Sequence, residues 1–239
     1  MPTAEFEQRI ERLKADLINQ GRLVERMVES AIDSVFERAP KKAEWVINED
    51  AEVDRVDIEL EQRAVRLLVD IAGECVELEP SKIRMLLTIV KINNELQRIA
   101  DISVNVAEQL PTLLEMPAPP TTFRVMANSI IGIVRDANTA FETLDIPTAR
   151  AVLASDDLVD EFELKILREA QEKVAAGDTP VDVAFGLMRV ATDLERMGDH
   201  CTNIAEQVIY VATGAIVRHQ EGHWTAPEMP GGSPETPES

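Results

Sequence analysis

Asp193-Leu-Glu-Arg-Met-Gly-Asp-His-Cys-Thr-Asn-Ile-Ala-Glu206 has a near copy earlier in the chain, Glu95-Leu-Gln-Arg-Ile-Ala-Asp-Ile-Ser-Val-Asn-Val-Ala-Glu108. In register, Arg98 meets Arg196, Asp101 meets Asp199, Asn105 meets Asn203 and Glu108 meets Glu206. On a helix, residues four apart share a face. Asp101 with Asn105, and Asp199 with Asn203, therefore read as one oxygen-rich surface made twice.

Working outward, the repeat extends over most of the chain. The segment 45–54, Trp-Val-Ile-Asn-Glu-Asp-Ala-Glu-Val-Asp, matches 151–160, Ala-Val-Leu-Ala-Ser-Asp-Asp-Leu-Val-Asp, and Phe36-Glu37 matches Phe141-Glu142. Prolines at 40, 80, 111, 117, 119, 120, 147 and 180 separate the apolar-periodic stretches, and proline is tolerated at a helix start but not inside one. They predict six helices and no strand: about 3–37, 40–75, 81–110, 122–144, 147–175 and 180–213. The first carries a stripe of Ile10, Leu13, Leu17, Val24, Met27, Ala31 and Val35 at helical spacing. Gly177 is expected to cap the fifth helix and Thr179 to start the sixth. Short links favour antiparallel packing. The expected fold is all-α, two tandem three-helix bundles. Residues 1–115 form the first, 116–215 the second and 216–239 a flexible acidic tail in which Trp224 is the one candidate for docking.

Two further acidic pairs, Asp50/Asp54 and Asp156/Asp160, lie on the second and fifth helices. In an antiparallel hairpin, residues equally far from the turn are level. Asp54 with Asp101, and Asp50 with Asn105, share the midpoint 77.5; Asp160 with Asp199, and Asp156 with Asn203, share 179.5. Both midpoints fall in predicted turns. Glu195 adds a carboxylate in the second repeat, where the first has Gln97, and Gly198 clears space where the first has Ala100. Carboxylates drawn together repel unless protonated or neutralised by a cation. All-oxygen ligands suit hard divalent ions such as Mg²⁺, Mn²⁺ or Ca²⁺, with iron or zinc as further candidates. The first site is expected to be the weaker. The competing reading is a set of solvated helix faces, the usual fate of a lone Asp-x-x-x-Asp; repetition and level pairing weigh against it.

Composition narrows the function. Of 239 residues, 45% are hydrophobic but only 4% aromatic, a helical-bundle balance, and the formal net charge is -20. That charge opposes nucleic acid and anionic lipid, and direct phosphate sensing would need bound metal to reverse the local field. The N-terminal residues lack signal-peptide character and no apolar run is long enough for a membrane span, so the expectation is a cytoplasmic protein without direct membrane insertion. Cys75 and Cys201 show no metal or disulfide spacing and read as small core residues. Arg98 and Arg196 read as ion-pair partners of nearby carboxylates, and His200 as surface or outer support. None of His200, His219 or His223 has a Glu three residues before it, so the di-iron Glu-x-x-His motif is absent. No nucleophile–base pair or phosphate-cradling glycine loop supports an enzyme.

Leu194-Glu-Arg-Met-Gly-Asp199 and Leu96-Gln-Arg-Ile-Ala-Asp101, with the paired Asp segments and the duplicated layout, resemble the PhoU family over about residues 5–214. The second motif departs from the family pattern at Gln97 and Ala100. The resemblance implies two three-helix bundles and metal ions held by Asp50, Asp54, Asp101 and Asn105, and by Asp156, Asp160, Glu195, Asp199 and Asn203. It further implies a negative regulator of the phosphate-starvation response that links the ATPase subunit of a phosphate ABC transporter to a sensor histidine kinase. A homodimer is the expected assembly. The alternative is a metal-dependent enzyme or metal-storage bundle.

Overall fold

The computed structural model describes residues 2–115 and 119–217. Among them are helices α1 (Pro2–Phe36), α2 (Pro40–Gly73), α3 (Pro80–Glu108), α4 (Leu110–Leu113), α5 (Thr121–Thr143), α6 (Ile146–Ala154), α7 (Asp156–Ala175) and α8 (Val181–Thr213), and no strand. Two three-helix bundles result, α1–α3 and α5–α8 with α6 and α7 acting as one arm. The apolar stripe on α1 is buried along its whole length. Helices α1 and α3 of one bundle meet α5 and α8 of the other, so one hydrophobic core runs through both. Helices α2 and α7 are the outer members; α2 packs on α1 and α3, and α7 on α5 and α8.

A side chain of α5 reaches the α1 backbone where the two helices meet. Asn138 Nδ2 donates to the Gly21 carbonyl at 3.0 Å, and a Cβ on residue 21 would stand 2.8 Å from Asn138 Oδ1. Glycine leaves this space to the Asn138 amide, which would have to shift to make room for a larger residue. Arg135 spans the same seam to Glu25 and Glu29, at 2.9 and 2.5 Å.

Four local expectations need correction. Pro111 does not end the helical run; it sits in the first turn of the short α4, where its missing N–H costs nothing. The expected fifth helix is two, divided at Ser155, whose hydroxyl donates to the Val152 carbonyl at 2.6 Å and draws that acceptor into a tighter turn. Thr179 is not the cap of the last helix; the cap position is Pro180, which has no side-chain bond to give. Cys75 is exposed, in a left-handed conformation (φ 51°) after α2, whereas Cys201 is fully buried as expected.

Gly177 does terminate α7. It is left-handed (φ 74°), and the Asp178 and Gly177 amides donate to the carbonyls of Lys173 and Val174 at 2.9 and 3.0 Å. At the C-terminus, Val217 packs partly against the core, so the chain holds to the body slightly past the expected start of the tail. The rest of that tail, Trp224 included, lies outside the described residues.

Candidate metal centres

The outer helices turn their acidic pairs toward the inner ones. In the first repeat, burial and then the neighbouring charges of Asp54 and Asp101 push the Asp50 carboxyl above the usual carboxylate range. Asp50 Oδ1 is buried and has no hydrogen-bond partner. Asp101 is better provided for: Gln97 Nε2 donates to its Oδ1 at 2.9 Å, and Arg98 Nη1 lies 3.5 Å from its Oδ2. Asp50, Asp54 and Asp101 thus form one electrostatic group spanning α2 and α3.

The second repeat assembles the same group with less neutralisation. Burial, then Asp160 and Asp199, raise the Asp156 carboxyl. Burial and Asp160 also raise Asp199, against the opposing pull of His200 and Arg196. Glu195 is pushed up to about 7, first by burial and then by Asp199, Glu163, Asp160 and Asp156. Here Arg196 pairs back to Asp193, at 3.4 Å, where Arg98 pairs forward into its cluster.

The asparagines behave differently from the aspartates. Asn105 is half-buried one turn beyond Asp101. Asn203 is exposed, and its Nδ2 donates to Glu95 Oε2 at 3.2 Å, across the α3–α8 seam and away from α7. His200 reaches the same oxygen with Nδ1 at 2.7 Å, so it binds the two repeats together. Gly198 is buried against Ile130 and Val159, the helix neighbours that its missing side chain admits.

Two carboxylates escaped the sequence reading. Asp57 and Glu163 occupy equivalent positions, three residues beyond Asp54 and Asp160. Asp57 feels Asp54 and Asp101, and Glu163 contributes to the rise at Glu195 and Asp199. The signal was present as Asp-x-x-x-Asp-x-x-Asp and its counterpart ending in Glu. Asp57 also accepts from Asn93 Nδ2 at 2.6 Å.

A hard cation fits this donor set. The candidate donors are carboxylate oxygens, burial and then one another's charge raise the proton affinities of Asp50 and Asp156, and Asp50 holds a buried oxygen without a partner. Among the described residues, however, no three His, Cys, Asp or Glu side chains already converge as a finished coordination sphere. Rotamer changes would have to bring the oxygens onto an ion.

The fold and the paired acidic clusters define a class: duplicated helical-bundle proteins with carboxylates at matching positions in both halves. The chain belongs to the PhoU domain family, which it matches over residues 17–110 and 123–208. It is 32% identical over 214 residues to the phosphate-specific transport system accessory protein PhoU homolog 1 of Thermotoga maritima, covering 87% of this chain and 89% of that one. It is 30% identical over 213 residues to the PhoU homolog of Aquifex aeolicus, covering 88% and 94%. The crystal structure of PhoU from Pseudomonas aeruginosa superposes with a TM-score of 0.81 at 26% identity, over 88% of this chain and all 100% of that one. A phosphate transport system regulatory protein PhoU from Streptococcus pneumoniae gives the same score at 20% identity, a likeness of fold.

Proposed function

We propose that this chain is an accessory regulator of phosphate transport, an adaptor whose two carboxylate clusters take up divalent cations. The observation that supports it best is one carboxylate arrangement built twice in a chain of this family. Asp50, Asp54 and Asp101 would hold ions in the first repeat, with Asn105 beside them. Asp156, Asp160, Glu195 and Asp199 would do so in the second, where Asn203 is assigned to the seam instead. Bound Mg²⁺, Mn²⁺, Ca²⁺, iron or zinc would supply positive charge, relieve the mutual repulsion and tie each outer helix to its inner neighbour.

In this reading the protein acts in the cytoplasm as a homodimer. It contacts the ATPase subunit of a phosphate ABC transporter and a sensor histidine kinase, and it keeps the starvation response off when phosphate is plentiful. No helix among the described residues is long and apolar enough to cross a membrane, which agrees with contact through partners. Catalysis is not part of the proposal.

The test is metal content by mass spectrometry on protein purified without chelator, beside Asp101→Ala and Asp199→Ala, with pull-down of the transporter ATPase and the kinase. Partial loss of metal in each variant, and capture of either partner, is the expected result. Absence of metal even after titration with divalent ions would remove the cation role. Metal-dependent turnover of phosphate esters, abolished by Asp199→Ala, would favour the enzyme alternative.

A further inference from the structure

Arginines gather in one place on this acidic molecule. Arg9 and Arg12 on α1, with Arg63 and Arg66 on α2, line a pocket of about 290 Å³ over the buried side chains of Leu13 and Leu67. Asp70 is the sole carboxylate in its lining. The hairpin sets this register: Arg9 and Arg66 share the midpoint 37.5 with Arg12 and Arg63, inside the α1–α2 turn. The two pairs are therefore level, which sets four arginines two by two across the hairpin at this pocket.

Two of the four are fixed and two are not. Arg9 pairs with Asp70 at 2.7 Å, and Arg63 with Asp16 at 2.7 Å. Arg66 uses only Nε, on the Gln62 carbonyl at 3.3 Å, and among the described residues Arg12 has no partner. Anchored arginines shape the pocket while the free ones keep their donor forks for a ligand. The fold does not require basic residues there. With Asp50 set on Asp156, Arg63 and Arg66 fall on Glu169 and Glu172 of the second repeat.

The geometry points to an anion site for a phosphoryl group, free as inorganic phosphate or carried by a small phosphomonoester. Arginine forks bind tetrahedral oxyanions through two parallel N–H donors, and all four cations here are arginine rather than lysine. The volume lies at the low end for small-molecule pockets and suits a compact ligand. Such a site would offer phosphate a route that does not run through bound metal. This site is separate from the carboxylate clusters.

The test is calorimetric titration of full-length protein, passed over a chelating resin, with inorganic phosphate and with glycerol 3-phosphate, at low salt. Arg12→Ala/Arg66→Ala is the variant, because it spares both anchoring ion pairs. Binding of either ligand, weakened about tenfold or more in the variant at unchanged Tm, is the expected result. Binding of the ester alone would assign the phosphoryl group to esters, and of phosphate alone to the free ion. No binding of either, or equal binding by the variant, overturns the site. Stripping the metal first makes this outcome independent of the carboxylate clusters.

Discussion

The two carboxylate clusters began as the same motif and now differ by one amide. In the first, Gln97 donates to Asp101, so the inner helix supplies its own hydrogen bond to a partly exposed acid. In the second, Glu195 stands in that place, brings another negative charge and is itself pushed up to about 7. A neutral donor quiets a cluster, whereas a carboxylate leaves it dependent on a proton or a cation. At this position, nitrogen in place of oxygen gives Asp101 a donor, although Asp50 Oδ1 in the same cluster still has none.

Exchanging those residues should have the largest effect. Gln97→Glu is expected to raise divalent-ion affinity in the first cluster, and Glu195→Gln to lower it in the second, each by about tenfold for one charge. Calorimetric titration with Mn²⁺ reads both. Equal affinities before and after the exchange would break the comparison.

The same pair predicts a pH dependence in metal-free protein. Glu195 binds its proton more tightly folded than unfolded, so its contribution to stability is fully present below pH 4.5 and is lost as pH rises through about 7. Glu195→Gln should remove that loss. Discounted for the solvent that reaches the side chain, the gain at pH 8 is on the order of 1–2 kcal/mol, or about 2–5 °C in Tm. Thermal melts from pH 4 to 8 measure it, and a variant curve parallel to wild type would contradict it.

Next in size is the seam. The His200–Glu95 contact is half-buried and joins α8 to α3. His200→Ala should lower stability by about 1–2 kcal/mol, read by urea unfolding, with little change in Mn²⁺ affinity. The smallest effect is expected at Gly198. A Cβ there would meet Ile130 and Val159 at an ordinary 3.6 Å, and the first repeat already buries Ala100 at the matching position. Gly198→Ala should be neutral or stabilise by up to about 1 kcal/mol, through helix propensity.

The helices, the duplication and the first members of each cluster were legible because they depend on periodicity and spacing. The register rule linked Asp54 to Asp101, and the charges these groups exert on their neighbours agree. It did not reveal the bond of Asn203 to α3, because level position does not fix which of two flanking helices a short amide will choose. Glu95 offered an acceptor on the other side. His200 was undervalued for the same reason: its neighbour across the seam lies in a distant repeat. Ser155 gave no signal, since its bond to Val152 competes with the helix only locally. The arginine patch obeys the same midpoint rule, on a chain whose net charge of -20 carries no sign of a local basic face.

The contrasting cysteines turn the molecule into its own gauge of opening. Cys75 is exposed at the end of α2 and open to a thiol reagent, while Cys201 is fully buried on α8 and burial pushes its thiol above the usual range. Alkylation at Cys75 would therefore report reagent supply, and alkylation at Cys201 the frequency with which the inter-bundle core parts. The ratio of the two rates, followed with and without cations or partners, would show how each ligand tightens the join without any label being introduced.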